Sequence, residues 1–233
     1  MKIPLSTRLS ACCQFVAPGD RVADIGTDHG YLGIWLLSKG IARSVIAADI
    51  APGPLSAAKQ NAIKYGCSDQ MEFFLSDGAT AIPRDFDTMV CAGMGGDTMI
   101  SILSAAPWLK DSRYRLILQC QSKTPLLRRF LSENNWHIRR EVLLRDGKFL
   151  YTVMEVLFED HPPLTPGQWY LSPALLESAG AELPEYYQRI VGGLRLSVSC
   201  RGDQTDPILA DALSQLENDP KLQWLKENTH DDG

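Results

Sequence analysis

The sequence predicts an α/β fold, a mostly parallel sheet ending in an antiparallel hairpin, followed by a small helical C-terminal domain. Three observations predict it. Five short apolar or β-branched runs alternate with segments of helical periodicity, which implies right-handed crossovers and a parallel sheet. Two later extended runs, Trp136–Leu144 and Phe149–Glu159, flank Arg145-Asp146-Gly147-Lys148, and Asp-Gly is a strong hairpin signal. The Pro-rich stretch His161-Pro162-Pro163-Leu164-Thr165-Pro166-Gly167 then divides the chain into residues 1–160 and 161–233.

Taken in order, Pro4 to Val16 spaces Leu5, Leu9, Cys12, Cys13 and Val16 as a helix does, and Ala17-Pro18-Gly19-Asp20 ends it. Leu9-Ser10-Ala11-Cys12 resembles a lipoprotein cleavage site. Pro4, Ser6, Thr7 and Arg8 interrupt any apolar run ahead of it, so a leader is not expected. Strands are expected at Arg21–Gly26, Ser44–Ile50, Met71–Asp77, Asp87–Met94 and Arg115–Gln121. Helices are expected between them at Tyr31–Lys39, Pro52–Tyr65, Asp97–Ala106 and Lys123–Asn134. The strands lack clean alternation, as befits a sheet covered on both faces. Beyond the connector, Ser172–Ala179, Pro184–Ser199 and Pro207–Leu216 have helical character. They are too few for an independent core and should pair with one another and lean on the sheet, with Gly192-Gly193 and Gly202 acting as helix breakers.

At 233 residues, 45% of them hydrophobic, the chain can bury a full α/β core with a smaller appendage. The net charge of −5 excludes a uniformly cationic nucleic-acid binder. From Trp108 to Leu150, however, ten Lys and Arg face four acids, while from Arg201 onward three bases face eight acids. The basic stretch suits either a phosphate-binding face or a solvated strip. The six cysteines form no CxxC pair and have no accompanying His spacing, which argues against zinc and disulfides and predicts a reduced cytoplasm. No run is long enough to span a bilayer, so a soluble protein without membrane association is expected.

The chemistry concentrates at strand ends. Asp24-Ile25-Gly26-Thr27-Asp28-His29-Gly30-Tyr31 takes a first strand through a tight turn into a helix N-terminus. Glycines there let backbone approach a ligand. The spacing is not the GxGxxG of pyrophosphate sites, and acids in the turn repel a pyrophosphate. They suit a ligand carrying an ammonium and a sulfonium, as S-adenosyl-L-methionine does. Asp49, followed by Ile50, ends the second strand 23 residues after Gly26, near the spacing of a ribose-binding acid. Asp77-Gly78 ends the third, where an adenine would lie. Three acids in register at successive strand ends make a helix-cap role alone unconvincing. Cys91-Ala92-Gly93-Met94-Gly95-Gly96 ends the fourth strand, where methyltransferase sheets hold the target base beside the methyl group. It contains neither an Asn-Pro-Pro-aromatic nor a Pro-Cys motif, which disfavours amino-group methylation and Pro-Cys cytosine chemistry. Gln119 and Gln121 end the fifth strand with amides able to bond a base edge, and Cys120 is expected to be buried rather than nucleophilic.

Together Asp24–Leu32, Ala92-Gly93-Met94-Gly95-Gly96 and Leu116-Ile117-Leu118-Gln119, with Pro4–Leu9 and Gly53-Pro54, resemble the bacterial tRNA (adenine-N1)-methyltransferase family that modifies position 22. The resemblance covers about residues 3 to 160 and, more loosely, 169 to 187. It implies a Rossmann-like class I methyltransferase sheet, S-adenosyl-L-methionine as cofactor, tRNA as partner and a helical C-terminal domain that helps grip it. Two departures stand out: Gln119-Cys120 where the family commonly has Gln-Pro, and a short, acidic tail. On this resemblance Asp28, Gly93, Met94 and Gln119 are the catalytic candidates. The cofactor candidates are Asp24, Gly26, Asp28, His29, Gly30, Tyr31, Asp49, Ile50, Asp77, Gly78, Ala92, Gly93, Met94 and Gly95. Arg8, Gln121, Arg128 and Arg129 are the substrate candidates, and no metal is expected. Asp28 can stabilise a cationic methylated base or cap the following helix. An rRNA or small-molecule methyltransferase, covalent cytosine chemistry through Cys120, and a catalytically silent binding module are the alternatives. The oligomeric state is left open.

Overall fold

In the computed structural model, which describes residues 3–178, 180–201 and 206–227, the chain forms one seven-stranded sheet. Its strands are β1 (Arg21–Ile25), β2 (Ser44–Asp49), β3 (Met71–Leu75), β4 (Thr88–Gly95), β5 (Arg115–Ser122), β6 (Trp136–Asp146) and β7 (Phe149–Phe158). The order is β3-β2-β1-β4-β5-β7-β6. β1 to β5 pair in parallel, and β7 runs antiparallel between β5 and the edge strand β6, so the last hairpin closes the sheet with its second strand innermost. This is the Rossmann-like arrangement expected of a methyltransferase sheet, with the ends of β1, β2, β4 and β5 at one edge, where ligands of open α/β sheets bind.

Helices cover both faces, which explains the unbroken apolar strands. One face packs α4 (Gly96–Ala105) and α5 (Thr124–Glu133) through Met99, Ile102, Leu127 and Leu131 onto Ala23, Ile25, Leu116 and Leu118. The other packs α1 (Thr7–Cys13), α2 (Tyr31–Ser38) and α3 (Pro52–Tyr65) through Cys12, Leu32, Ile34 and Ala62 onto Val22, Val45, Val90, Ile117 and Val153. Strand alternation therefore puts Asp24, Gln119 and Gln121 on the α1–α2 face. The α1 helix is shorter than the periodicity of 4–16 suggests, because Ser6 caps it by accepting the Leu9 N–H. β3 stops at Leu75, two residues early. There the Ser76 hydroxyl donates to the Gly78 carbonyl and accepts the Ala81 N–H, turning the chain before Asp77.

The helical region starts inside the connector. α6 (Pro166–Tyr170) follows Thr165, whose N–H donates to Gln168 Oε1, a capping-box signature present in the sequence but absent from the expected elements. α7 (Pro173–Glu177), α8 (Leu183–Arg201), α9 (Pro207–Asn218) and α10 (Gln223–Glu227) follow. Gly192 and Gly193 do not break the chain there. They lie within α8, where buried Val191 and Leu194 on either side hold the helix against its neighbours, and packing overrides propensity. Gly202 and Ala179 fall outside the described residues. The helices share an apolar cluster of Leu171, Leu175, Leu183, Tyr187, Val191, Leu194, Leu216, Leu222 and Leu225, against which Leu143 of β6 packs.

Candidate active site

The site grows from the turn after β1. Gly26 adopts φ +74° and Gly30 φ +73°, and a Cβ on Gly26 would lie 2.3 Å from Met94 Cε. Only glycine permits this backbone with Met94 closed over it. The Gly26 and Thr27 N–H groups both donate to Ala48 O, at 2.8 and 3.0 Å, so the turn is hooked onto β2. Asp28 also has positive φ, 50°, and its N–H reaches Asp49 Oδ2 at 3.4 Å, while Asp49 Oδ1 accepts the Ala51 N–H at 2.9 Å. Asn61 of α3 donates to His29 O at 2.9 Å, and His29 stacks on Tyr31 at 5.6 Å.

Asp24 is the centre of this turn. It is 4% exposed, and its Oδ2 accepts the Thr27 hydroxyl at 2.7 Å. Burial pushes its carboxyl up to about 6; the Thr27 hydrogen bond opposes that, and the charges of Asp49 and Asp28 add to it. No base is among these causes. A buried carboxylate with two further acids nearby and no ion pair among the described residues is costly alone and complementary to a positively charged ligand. No group of three or more His, Cys, Asp or Glu suited to a metal occurs among the described residues.

The facing wall is a β-bulge. The β4–β5 register shifts around Met94, where Gly93 takes φ +78°. Gln119, completely buried, accepts the Gly93 N–H on Oε1 at 3.0 Å and donates from Nε2 to Cys120 O at 3.2 Å. Its amide is thus committed to shaping the bulge rather than open to a base, which corrects the sequence expectation. Gly96 fits tightly under Lys123, whose carbonyl oxygen would be 2.7 Å from a Cβ there. Turn and bulge enclose a cavity of about 350 Å³, lined by Asp24, Gly26, Thr27, Asp28, Leu32, Ala92, Gly93, Met94, Gln119 and Gln121 and roofed by Ser6, Arg8 and Leu9.

Most of the expected residues converge on this edge. Asp28 does not cap α2, since the N-cap is Gly30 and no side-chain cap bond exists. Ile50 stands 67% exposed at the end of β2, an apolar surface beside Asp49. Asp77 is exposed after β3, and Gly78 (φ +56°) packs against Ile102. Gly95, the N-cap position of α4, has its Cβ direction closed by Ser122 Oγ at 3.0 Å. Arg8 lines the cavity while its Nε donates to Asp146 Oδ2 at 2.9 Å.

Two substrate candidates lie elsewhere. Arg128 is fully buried, bonded to Glu141 at 2.7 Å and to the carbonyls of Trp169 and Tyr170. It joins α5 to the helical region and cannot meet a phosphate. Arg129 pairs with Glu133 one turn on and covers the Trp169 ring, away from the cavity. Of the ten bases in the basic stretch, only Lys110 and Lys148 make no ion pair among the described residues. Most of the stretch is therefore engaged in ion pairs with acids of the chain itself. Cys120 is buried, and burial pushes its thiol up. The candidate site residues omitted Ser6, Leu9, Thr27 and Leu32 of this lining; the i+3 spacing from Asp24 was a signal for Thr27, and packing between distant segments places Ser6 and Leu9 there.

No described helix is long and apolar enough to cross a membrane. A profile described as a methyltransferase domain matches residues 5–154. The tRNA (adenine(22)-N(1))-methyltransferase of Bacillus subtilis is 30% identical over 66% of this chain, and the match spans 65% of that relative's length, just under two thirds. Among solved structures, a Streptococcus agalactiae protein of the NADB-Rossmann superfamily aligns with TM-score 0.82 at 27% identity, over 93% of this chain and 97% of that one. Streptococcus pneumoniae Sp1610, in complex with S-adenosyl-L-methionine, aligns with TM-score 0.80 at 25% identity, over 92% and 98%.

Proposed function

The chain belongs to the methyltransferase domain family, and from that premise we propose that it methylates N1 of an adenine in tRNA, at position 22, using S-adenosyl-L-methionine. The observation that carries the cofactor assignment is the buried Asp24, without an ion pair among the described residues, beside a turn that Gly26 holds at positive φ under the Met94 side chain. The acids Asp24, Asp28 and Asp49 fit a ligand with ammonium, sulfonium and ribose hydroxyls, and exposed Ile50 with Asp77-Gly78 suits the adenine end. The substrate assignment draws on the Bacillus subtilis relative, and the cofactor also on the bound Sp1610 structure.

When bound, S-adenosyl-L-methionine supplies an electrophilic methyl group for an adenine N1 lone pair, which leaves the ring cationic and requires no base at N1. The protein's residues then work by placement and electrostatics. Gln119 fixes the Gly93 bulge and so the wall against which the target base rests; it is a positioning residue. Gln121, exposed at the cavity, offers its amide to a base edge. The exposed Asp28 carboxylate faces the cavity and stabilises positive charge appearing on the ring. Gly30, His29 and Tyr31 shape the turn, and Ala92, Met94 and Gly95 complete the wall. N1 is normally engaged in base pairing, so the target enters unpaired or flipped out.

The test is methyl transfer from labelled S-adenosyl-L-methionine to unmodified total bacterial tRNA, with nucleoside analysis. 1-Methyladenosine is the expected product, lost from tRNA whose position 22 is not adenine. Label in another nucleoside, or only in rRNA, overturns the assignment.

A further inference from the structure

At the tip of the β6–β7 hairpin two aromatic rings stand outside the apolar clusters. Phe149 is 51% exposed, and neither it nor Tyr151 belongs to an apolar cluster among the described residues or to the residues packed against one. Two residues apart on one strand, they share a face. Their ring centroids lie 6.0 Å apart, tilted by 44°. That face is the cavity's. The β5–β7 register pairs Gln119 with Val153 and Cys120 with Thr152, so the next step brings Tyr151 level with Gln121, a residue of the cavity wall.

Cations complete the row. The Arg8 guanidinium, part of the cavity roof, sits over the Tyr151 ring at 5.2 Å and is held there by Asp146, the residue opposite Phe149. Lys148 Nζ lies 5.4 Å from the Phe149 ring and makes no ion pair among the described residues, unlike most bases of this region. The row thus runs from the cavity outward as Arg8, Tyr151, Phe149, Lys148. Half-exposed aromatics interleaved with cations recognise single-stranded nucleic acid, where rings stack on bases and cations track phosphates. A protein partner would need a broader apolar surface than one exposed ring flanked by a lysine.

We propose that Phe149 and Tyr151 form a stacking platform for unpaired tRNA bases adjoining the target adenine, with Lys148 on a neighbouring phosphate. This rests on the tRNA-methylation reading above and adds to it the surface that holds the RNA beside the reacting base. A flipped base in the cavity leaves its neighbours unstacked, and the platform replaces the lost stacking.

The full-length protein and its Phe149→Ala, Phe149→Trp and Lys148→Ala variants test this in steady-state tRNA methylation, with cofactor affinity by calorimetry as the check on folding. Phe149→Ala should raise KM for tRNA about tenfold or more, the effect of removing one base-stacking ring, with cofactor affinity unchanged. Phe149→Trp should restore it. Lys148→Ala should weaken tRNA binding and reduce its log–log salt slope by roughly one. Unchanged KM in Phe149→Ala, or a tryptophan variant as impaired as the alanine one, overturns the platform while the methylation reading stands. A wild-type protein that methylates no tRNA overturns both.

Discussion

Replacing Asp24 by Asn should make the unliganded protein more stable and nearly abolish cofactor binding. The carboxyl rises from its ordinary 3.8 to about 6, chiefly through burial. Holding it ionised in the native state therefore costs about 3 kcal/mol at neutral pH. The sign follows from proton uptake. Between about pH 4 and pH 6 the native state keeps a proton that the unfolded chain has released, so stability falls as pH rises through that window. The full penalty is present above pH 6. Asn is nearly isosteric and can still accept the Thr27 hydroxyl, now at 2.7 Å, but it carries no charge. At pH 8 the variant should melt about 6–12 °C higher than the wild type, with the advantage gone by pH 4. Calorimetric titration should show the opposite for function: S-adenosyl-L-methionine affinity lost in Asp24→Asn, and in the wild type falling as pH drops below about 6, where the anchor protonates. A variant with equal melting temperature at pH 8, or one that binds the cofactor as the wild type does, refutes the idea that this buried charge is held strained for a cationic ligand.

Three further outcomes are expected. Arg128→Met leaves the fully buried Glu141 carboxylate unpaired and should cost about 3–5 kcal/mol in urea denaturation, with Arg128→Met/Glu141→Leu recovering most of it; a single-variant cost below about 1 kcal/mol contradicts the buried pair. Gly96→Ala sets a Cβ 2.7 Å from the Lys123 carbonyl, an unyielding backbone atom, and should cost about 1–3 kcal/mol and slow methyl transfer by displacing the start of α5; wild-type stability and rate would show that the turn has slack. Cys120→Ser should keep tRNA methylation within about twofold, because the thiol is buried, raised in pKa and outside the cavity lining. Abolished transfer would instead point to covalent cytosine chemistry.

What local sequence could determine, it did. The acids at the ends of β1 and β2, the glycines of the first turn and the Asp146-Gly147 hairpin are legible because turns and strand ends are set by backbone conformation and residue spacing. The capping box that begins α6 was equally local and was hidden only by the prolines around it. The Gly192-Gly193 pair shows the limit from the other side, since its helical state depends on neighbours supplied by α9 and α10. Which polar groups are free was decided by tertiary structure alone. Arg128 reads in the chain as one of ten surface bases, yet it is buried against Glu141, itself accepting the Ser172 hydroxyl, and two carbonyls of α6. Gln119 reads as a base-binding amide and is consumed by the Gly93 bulge. Arg8 meets Asp146 across 138 residues, and that long-range pair is what sets a cation over Tyr151 at the mouth of the cavity. Charge and hydrogen-bonding capacity belong to the residue, but whether water, another side chain or a ligand satisfies them depends on packing between distant segments, which no local pattern encodes.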